Sequence, residues 1–363
     1  MNLIEYILEL AADDDRWKEL LETNVMMTNE EIYSAAEEEF GGWDGALIAA
    51  LRQAVTKSST RAPSRRPQPS QVERRVTEAF EHPIYAMSSG GRFYAMHGPD
   101  LEVTDEPQII ESSEDVGYIK GVRYIGDADA VFLFSTKGRF FSMDQRMVPL
   151  WVRREDRRSI RDVLYLEGGE EIFDVLPRRA VMSGRVIHIT AGGKGKATDS
   201  SEFGSNLDRS GREAFLLGDD DLPIAALAGP ARDTSIFCAS AMGQGIHFDA
   251  ADLRSMGRKA VGVNVMKLAD DNDAVISACL GKNVHQLAII TAEGLGKRVD
   301  FDDFRIQGRA GAGMQLARIN SGDRLVAAVD CNPGGDLVLT TTHGRIQRIP
   351  ATNLLLMGRP AKG

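Results

Sequence analysis

A unit of about fifty residues recurs six times along this chain of 363 residues. In each copy an apolar run leads to a Ser or Thr placed three residues before a glycine. The pairs are Ser88/Gly91, Ser135/Gly138, Thr190/Gly193, Ser240/Gly243, Thr291/Gly294 and Thr341/Gly344. Successive glycines are 47, 55, 50, 51 and 50 residues apart. This period is typical of propellers and solenoids, whose units bury their apolar faces against one another.

The fifth copy shows the unit in full. Its apolar run Leu287–Ile290 predicts a buried strand, and Gly294 can take the positive φ of a tight hairpin turn. The alternating apolar residues of Met314–Ile319 predict a further, half-buried strand. A unit with a single apolar face cannot fold alone, so we expect a mainly β fold built from six mutually packed repeats.

A second marker confirms the register of the later copies. Gly257, Gly308 and Gly358 each lie 14 residues after their turn glycine, and each is followed by an arginine. In the third copy Gly211-Arg212 lies 18 residues after the turn. The glycines are typical of hairpins, and we interpret the arginines as part of a basic rim rather than only as a solvated edge.

Composition excludes several classes of protein. No apolar run approaches the roughly 20 residues that span a bilayer, and the acidic N-terminus is unlike a signal peptide, so we expect a cytoplasmic protein. Cys238, Cys279 and Cys331 lie on separate repeats, which predicts buried thiols rather than a disulfide framework. The histidines and carboxylates show no metal-ligand or catalytic spacing, so we expect no cofactor, no metal and no catalytic residues.

The net charge of −10 is unevenly distributed. Residues 1–56 hold 3 basic and 13 acidic residues, whereas residues 120–363 hold 33 basic and 30 acidic ones. The average charge therefore does not exclude nucleic acid as a partner. Whether the chain can bind nucleic acid depends on how its cations are arranged locally.

Three segments are predicted. Residues 1–55 are predicted to form a helical N-terminal domain, with a capping box at Thr28–Glu31. Residues 56–75 are a Ser/Pro/Arg-rich linker with too few apolar residues to fold. Residues 76–363 carry the six repeats.

Two apparent motifs carry no chemistry. Gly192–Lys196 lacks the Ser or Thr that must follow the lysine of a phosphate-binding loop. The pair Arg123-Tyr124 is superficially like the arginine-tyrosine pair of type II topoisomerases, but it lies inside an alternating strand. We interpret Tyr124 as an aromatic residue that packs on a sheet.

With the repeats aligned, the sequence from about Pro83 to Arg359 resembles the C-terminal domain of the DNA gyrase A protein. The resemblance is carried by FSTKGRFFSM (134–143), LRSMGRKAVGVNVMKL (253–268), IITAEGLGKRVDFDDF (289–304), QGRAGAGM (307–314) and LTTTHGRIQRI (339–349). It implies a six-bladed β-pinwheel, propeller-like, whose outer rim binds and bends duplex DNA. It also implies a nucleoid-associated role, accessory to a topoisomerase or to chromosome architecture, with gyrase or part of another topoisomerase as a possible protein partner.

The candidate DNA contacts are basic residues that the resemblance and the repeat pattern place on this rim. They are Arg139, Arg153, Arg154, Arg157, Arg158, Lys194, Lys196, Arg212, Arg254, Arg258, Lys259, Lys297, Arg298, Arg309, Arg345, Arg348 and Arg359.

The sequence departs from the gyrase pattern in three places. The loop Thr104–Ile110 replaces the basic heptapeptide on which gyrase wrapping depends, so chiral wrapping is not expected. The last repeat stops at Gly363, so its blade is either incomplete or closed by an N-terminal strand such as Val72–Phe80. No DNA-cleaving or ATPase segment is found, so we expect a stand-alone protein that is not an enzyme on its own.

Two alternatives stay open at this point. In one, the rim has lost DNA binding, and the acidic N-terminal domain and first repeat bind a protein such as gyrase itself. In the other, the chain is one part of a split topoisomerase that acts with a separate cleavage chain.

Overall fold

The computed structural model describes residues 83–97, 108–109, 118–126, 128–150, 159–204, 207–230, 232–282 and 284–361. All of them belong to one compact unit, Gln71–Gly363. The predicted helical domain (1–55) and linker (56–75) lie outside the described residues, and these boundaries stay predictions.

The described chain is mainly β, as predicted. Its strands are β1 (Pro83–Ser88), β2 (Phe93–His97), β3 (Gln108–Ile109), β4 (Ile119–Tyr124), β5 (Ala130–Ser135), β6 (Arg139–Asp144), β7 (Ile172–Pro177), β8 (Arg185–Thr190), β9 (Lys194–Asp199), β10 (Asp208–Glu213), β11 (Pro223–Gly229), β12 (Ser235–Ser240), β13 (Gln244–Asp249), β14 (Val263–Asn264), β15 (Val275–Leu280), β16 (Gln286–Thr291), β17 (Gly296–Asp300), β18 (Met314–Gln315), β19 (Leu325–Cys331), β20 (Asp336–Thr340) and β21 (Arg345–Pro350). Two short helices, α1 (Ile160–Val163) and α2 (Arg178–Met182), interrupt them.

The strands form six antiparallel sheets, one per repeat. Their orders are β2-β1-β4, β10-β6-β5-β7, β11-β8-β9-β14, β15-β12-β13-β18, β17-β16-β19 and β20-β21-β3. Each sheet is built on the hairpin of one repeat, and in the first five the last strand of that repeat lies on its inner side. We number these sheets as blades one to six.

Neighbouring repeats exchange strands at the outer edge. In the second, third and fourth blades the outermost strand comes from the following repeat: β10 pairs with β6, β14 with β9 and β18 with β13. The sixth blade takes β3 from the first repeat, with Arg345 opposite Ile109. This pairing closes the ring, so the last blade is completed on its outer side by a segment of the first repeat. The segment Val72–Phe80 lies outside the described residues.

The Ser and Thr residues of the repeat marker hold the hairpin turns. In all six repeats the hydroxyl oxygen accepts a hydrogen bond from the backbone N–H four residues later, at 3.1–3.4 Å. The turn glycines all have positive φ, from 71° at Gly193 to 88° at Gly294. This geometry explains why a short hydroxyl side chain and a glycine recur at this spacing.

Buried apolar side chains lie between adjacent blades. One cluster joins Ile187 and Ile189 of the third blade to Ile236, Ile246 and Phe248 of the fourth. Another joins Phe132, Phe134 and Phe140 of the second blade to Val186 and Phe203 of the third repeat. Burying one such side chain stabilises the fold by roughly 1.5–3 kcal/mol, so each blade depends on its neighbours. The three cysteines are buried free thiols, as predicted.

Two sequence interpretations need correction. Only Met314–Gln315 of the predicted strand Met314–Ile319 is a strand, because the chain pairs with β13 over two residues and then leaves the sheet. Tyr124 ends β4, as the predicted strand requires, but its side chain is 63% exposed and does not pack on a sheet.

An ion pair near the ring axis joins three blades. Arg123 on β4 donates to both carboxylate oxygens of Asp174 on β7, at 2.8 and 3.0 Å. The same carboxylate accepts the backbone N–H of Ala226 on β11 at 2.9 Å. Asp174 is buried, and its charge raises the pKa of Arg123 above the usual range.

Removing this carboxylate should destabilise the ring. Asp174→Ala leaves the Arg123 guanidinium and the Ala226 N–H without their acceptor, and we expect a loss of about 3 kcal/mol in the free energy of unfolding. Urea denaturation measures the loss. Asp336→Ala, which removes a half-exposed ion pair with Arg348, is the control and should cost less than about 1 kcal/mol. Equal losses for the two variants would contradict the assigned role of Asp174.

His188 predicts how stability depends on pH. Its ring is buried, stacks on Phe215 at 4.3 Å and contacts the edge of Phe134. Neither ring nitrogen has a hydrogen-bond partner in the described structure. Burial, with the nearby positive charge of Lys196, lowers the pKa of His188 well below its usual value.

As the pH falls below about 6.5, the unfolded chain therefore binds a proton at His188, whereas the folded chain does not. Stability from this residue is fully present above about pH 6.5 and falls as the pH drops toward the lowered pKa. We expect the thermal midpoint of His188→Phe to decline less between pH 7 and pH 5 than that of the natural protein. Parallel midpoint curves would show that His188 does not contribute.

Candidate nucleic-acid interface

The outer rim contains one arrangement that repeats with the blades. At the exchanged edges of the second, third and fourth blades, the last residue of the donated strand lies opposite the residue that follows the turn glycine. Glu213 pairs with Arg139, Asn264 with Lys194 and Gln315 with Gln244. We call these places the Glu213 junction, the Asn264 junction and the Gln315 junction.

The Gly-Arg turn of the next repeat covers each junction. Arg258 donates from Nη1 to the backbone oxygen of Glu213 at 2.9 Å, and Arg309 does the same to Asn264. Arg359 lies 3.4 Å from the backbone oxygen of Gln315 and over the ring of Phe304. The Gly-Arg marker therefore links consecutive outer strands, and it places one guanidinium at each junction.

Three predicted contacts are buried, and Lys196 is the first of them. Lys196 donates from Nζ to the backbone oxygens of Ala214, Gly257 and Arg258, at 2.8–3.0 Å. Burial lowers the pKa of Lys196 to about 8, so the ammonium group remains protonated at pH 7. It binds the turn Gly257-Arg258 from the buried side and does not reach the rim surface.

Lys297 repeats this arrangement in the fifth blade. Its Nζ donates to the backbone oxygens of Gly358, Arg359 and Ala361, at 2.7–3.1 Å, and burial lowers its pKa to about 8. Its neighbour Arg298 is also buried and donates to Gln286 and to the backbone oxygen of Leu354. We therefore exclude Lys196, Lys297 and Arg298 from the candidate interface.

Five further predicted contacts have carboxylate partners. Arg139 pairs with Glu167 at 2.8 Å and with Glu170 at 3.4 Å. The other pairs are Arg212–Asp208 at 3.0 Å, Arg258–Glu202 at 3.6 Å, Lys259–Glu213 at 3.2 Å and Arg348–Asp336 at 2.8 Å. Four of these cations lie at or beside the Glu213 junction. A polyanion would have to compete with these carboxylates there.

The remaining described candidates have no carboxylate partner among the described residues. They are Lys194, Arg254, Arg309, Arg345 and Arg359. Lys194 donates to the side chain of Asn264 at 2.6 Å, and Arg309 donates to the backbone of the same residue. Arg345 begins β21, opposite β3 on the sixth blade. The arginines at 153, 154, 157 and 158 lie outside the described residues.

The predicted set misses three cations. Lys267 follows β14, and its backbone N–H bonds to Gly311 of the turn that carries Arg309. Arg318 follows β18, and its N–H bonds to Ala361 of the turn that carries Arg359. Arg305 has the same position relative to Gly308 that Arg254 has relative to Gly257. All three are exposed without an ion pair to any described residue. The sequence could have identified them, because Arg318 follows Lys267 by 51 residues and Arg305 follows Arg254 by 51.

Unpaired cations come together at two neighbouring junctions of the rim. The Asn264 junction combines Lys194, Lys267 and Arg309, and the Gln315 junction combines Arg318 and Arg359. Guanidinium and ammonium groups at the surface can contact phosphates, and phosphate contacts do not distinguish one base sequence from another. Among the residues that the structure describes, no cluster of His, Cys, Asp or Glu could hold a metal ion, and no helix is long and apolar enough to cross a membrane.

Six antiparallel sheets closed through exchanged outer strands define a β-propeller of the pinwheel class. Known proteins resemble this chain in sequence and in fold. A family model described as "DNA gyrase C-terminal domain, beta-propeller" matches residues 234–278, 285–332 and 335–363. The solved C-terminal domain of DNA gyrase A shares the fold, with a TM-score of 0.68 at 19% identity over 78% of this chain and 94% of that chain.

Three further proteins are similar to this chain. The C-terminal domain of DNA topoisomerase IV gives a TM-score of 0.60 at 18% identity, over 78% of this chain and 88% of that one. The DNA gyrase A protein of Aminobacterium colombiense is 29% identical over 236 residues, and that of Salmonella typhimurium is 30% identical over 238. These matches cover 64% and 65% of this chain but only 28% and 27% of the two relatives. The resemblance of the repeats to the gyrase A C-terminal domain family is confirmed.

The buried lysines predict a clear stability effect. Lys297→Met leaves three turn carbonyls without their donor, and we expect a loss of about 3 kcal/mol in the free energy of unfolding. Lys259→Met changes a lysine whose side chain is 78% exposed and should alter stability by less than about 0.5 kcal/mol. Chemical denaturation of both variants measures the difference. A Lys297→Met protein as stable as the control would show that this lysine is not structural.

Proposed function

We propose that the propeller binds and bends duplex DNA through the unpaired cations of its rim. The observation that carries the proposal is the pair of neighbouring junctions, at Asn264 and Gln315, whose cations lack carboxylate partners in the described part of the chain. The family comparison supports the choice of polyanion, because its members are named as parts of enzymes that act on DNA.

The physical basis is counterion release. Lys194, Lys267, Arg309, Arg318 and Arg359, together with Arg305, offer about six phosphate contacts. For B-DNA the logarithm of the binding constant then falls with the logarithm of salt concentration with a slope of about −5. Contacts to phosphates carry no information about the bases, so binding is largely independent of sequence. Contacts spread over two junctions also offset part of the cost of bending the duplex.

This function predicts salt-sensitive binding that depends on particular cations. We expect the natural protein to bind a duplex of about 40 base pairs at 50 mM salt and to lose roughly a thousandfold in affinity by 200 mM. The double variant Lys267→Gln/Arg309→Gln should reduce the magnitude of the salt slope by about two. Fluorescence anisotropy titrations at several salt concentrations measure both quantities.

The matched control removes two cations that already have carboxylate partners. Lys137 and Arg348 lie 3.0 Å from Glu167 and 2.8 Å from Asp336, so Lys137→Gln/Arg348→Gln should change the salt slope by less than one. Absence of binding at 50 mM salt by the natural protein would contradict the proposed function. A control as weakened as the junction variant would contradict the assigned surface.

We also propose that DNA held on this rim serves a type II topoisomerase, with the cleavage and ATPase steps carried out outside the propeller. The relatives are gyrase A proteins, and this chain matches only the part of them that forms the propeller. Co-purification of a cleavage protein with the tagged full chain, after nuclease treatment, tests this association. Recovery of nucleic acid alone would favour an architectural role.

A further inference from the structure

The three junctions differ in charge at a single repeat position. The last residue of the donated strand is Glu213 at one junction, Asn264 at the next and Gln315 at the third, and each follows the previous one by 51 residues. All three side chains are exposed. Each backbone carbonyl faces the arginine of the covering Gly-Arg turn. The backbone arrangement is therefore shared, and the side-chain charge is not.

At the Glu213 junction the surrounding cations are held by carboxylates. Lys259 lies 3.2 Å from the Glu213 carboxylate, and Arg258 lies 3.6 Å from Glu202. Arg139, directly opposite Glu213, is paired with Glu167 and Glu170. A phosphate approaching this junction would face the Glu213 charge and would have to displace it from Lys259.

At the other two junctions the same position carries an amide. Asn264 accepts from Lys194 through its side chain without neutralising the lysine, because an amide has no net charge. No described carboxylate forms an ion pair with Arg309 or Arg359. A phosphate approaching either arginine would not have to displace a carboxylate from an ion pair.

We infer that Glu213 excludes DNA from its junction and so sets the end of the bound segment. The inference rests on the proposed function and refines it. Bound duplex follows the arc of the third and fourth blades and leaves the rim before the second. The bend then ends at the third blade on this side of the rim.

A gain of binding tests this directly. Glu213→Gln places at this junction the side chain that Gln315 already supplies at another, and it keeps the exposed strand end and its backbone hydrogen bonds. We expect the variant to bind a 60-base-pair duplex about threefold to tenfold more tightly at 100 mM salt, with a salt slope steeper by about one. Hydroxyl-radical footprinting should show a protected segment longer than that of the natural protein.

The reciprocal change should weaken binding. Gln315→Glu introduces the excluding carboxylate beside Arg359, and we expect affinity to fall about threefold to tenfold and the protected segment to shorten. The control for net charge is Asp271→Asn, which removes one exposed negative charge in a turn outside the junctions. It should change affinity by less than twofold.

The outcomes separate the inference from the proposed function. If the natural protein does not bind duplex DNA at low salt, the function itself is wrong. If it binds, but Glu213→Gln matches Asp271→Asn in affinity and footprint, DNA binding stands and the excluding role of Glu213 is wrong. A longer footprint for Glu213→Gln with a shorter one for Gln315→Glu establishes the role.

Discussion

The pairing of each donated outer strand with the blade before it is the constraint on which this structure depends. A hairpin with one inner strand leaves its outer edge unpaired, and an unpaired edge is a site for aggregation. The following repeat supplies two to six residues to that edge in the second, third and fourth blades. The first repeat does the same for the sixth. Backbone hydrogen bonds therefore run from blade to blade, and the Gly-Arg turns come to lie over the exchanged edges.

The cations of this protein divide into structural and surface groups for a physical reason. An ammonium group with three donors satisfies three convergent carbonyls, so Lys196 and Lys297 hold the ends of the Gly-Arg turns from inside. Burying such a group is unfavourable unless its hydrogen bonds are complete, and at both positions they are. Arg258, Arg309 and Arg359 lie on the outer side of these turns. Each donates one hydrogen bond to the backbone of the preceding donated strand, and its guanidinium stays at the surface.

The distribution of carboxylates then decides which part of the rim can bind a polyanion. Arginine and lysine are distributed over most of the repeats, but the acidic residues that pair with them cluster around the second blade and the Glu213 junction. An exposed ion pair contributes little to stability, so the exposed carboxylates of this group, unlike the buried Asp174 and Glu170, affect the surface potential more than the fold. At one repeat position the side chain is charged in Glu213 and uncharged in Asn264 and Gln315, so the surface potential differs among the three junctions at this position.

The sequence by itself determined the repeat number, the period and the turns, because a hydroxyl, a glycine and an apolar strand at fixed spacing reflect local hydrogen bonds and backbone conformation. It also determined the family resemblance and the buried state of the cysteines. Only the tertiary structure decided which strand completes which blade, since β3 reaches β21 across more than 200 residues. It alone separated Lys196 and Lys297 from Lys194, because burial and ion pairing depend on groups brought together from different repeats. Lys267, Arg305 and Arg318 were readable from the 51-residue offset, but their significance came from the neighbours that the fold places beside them.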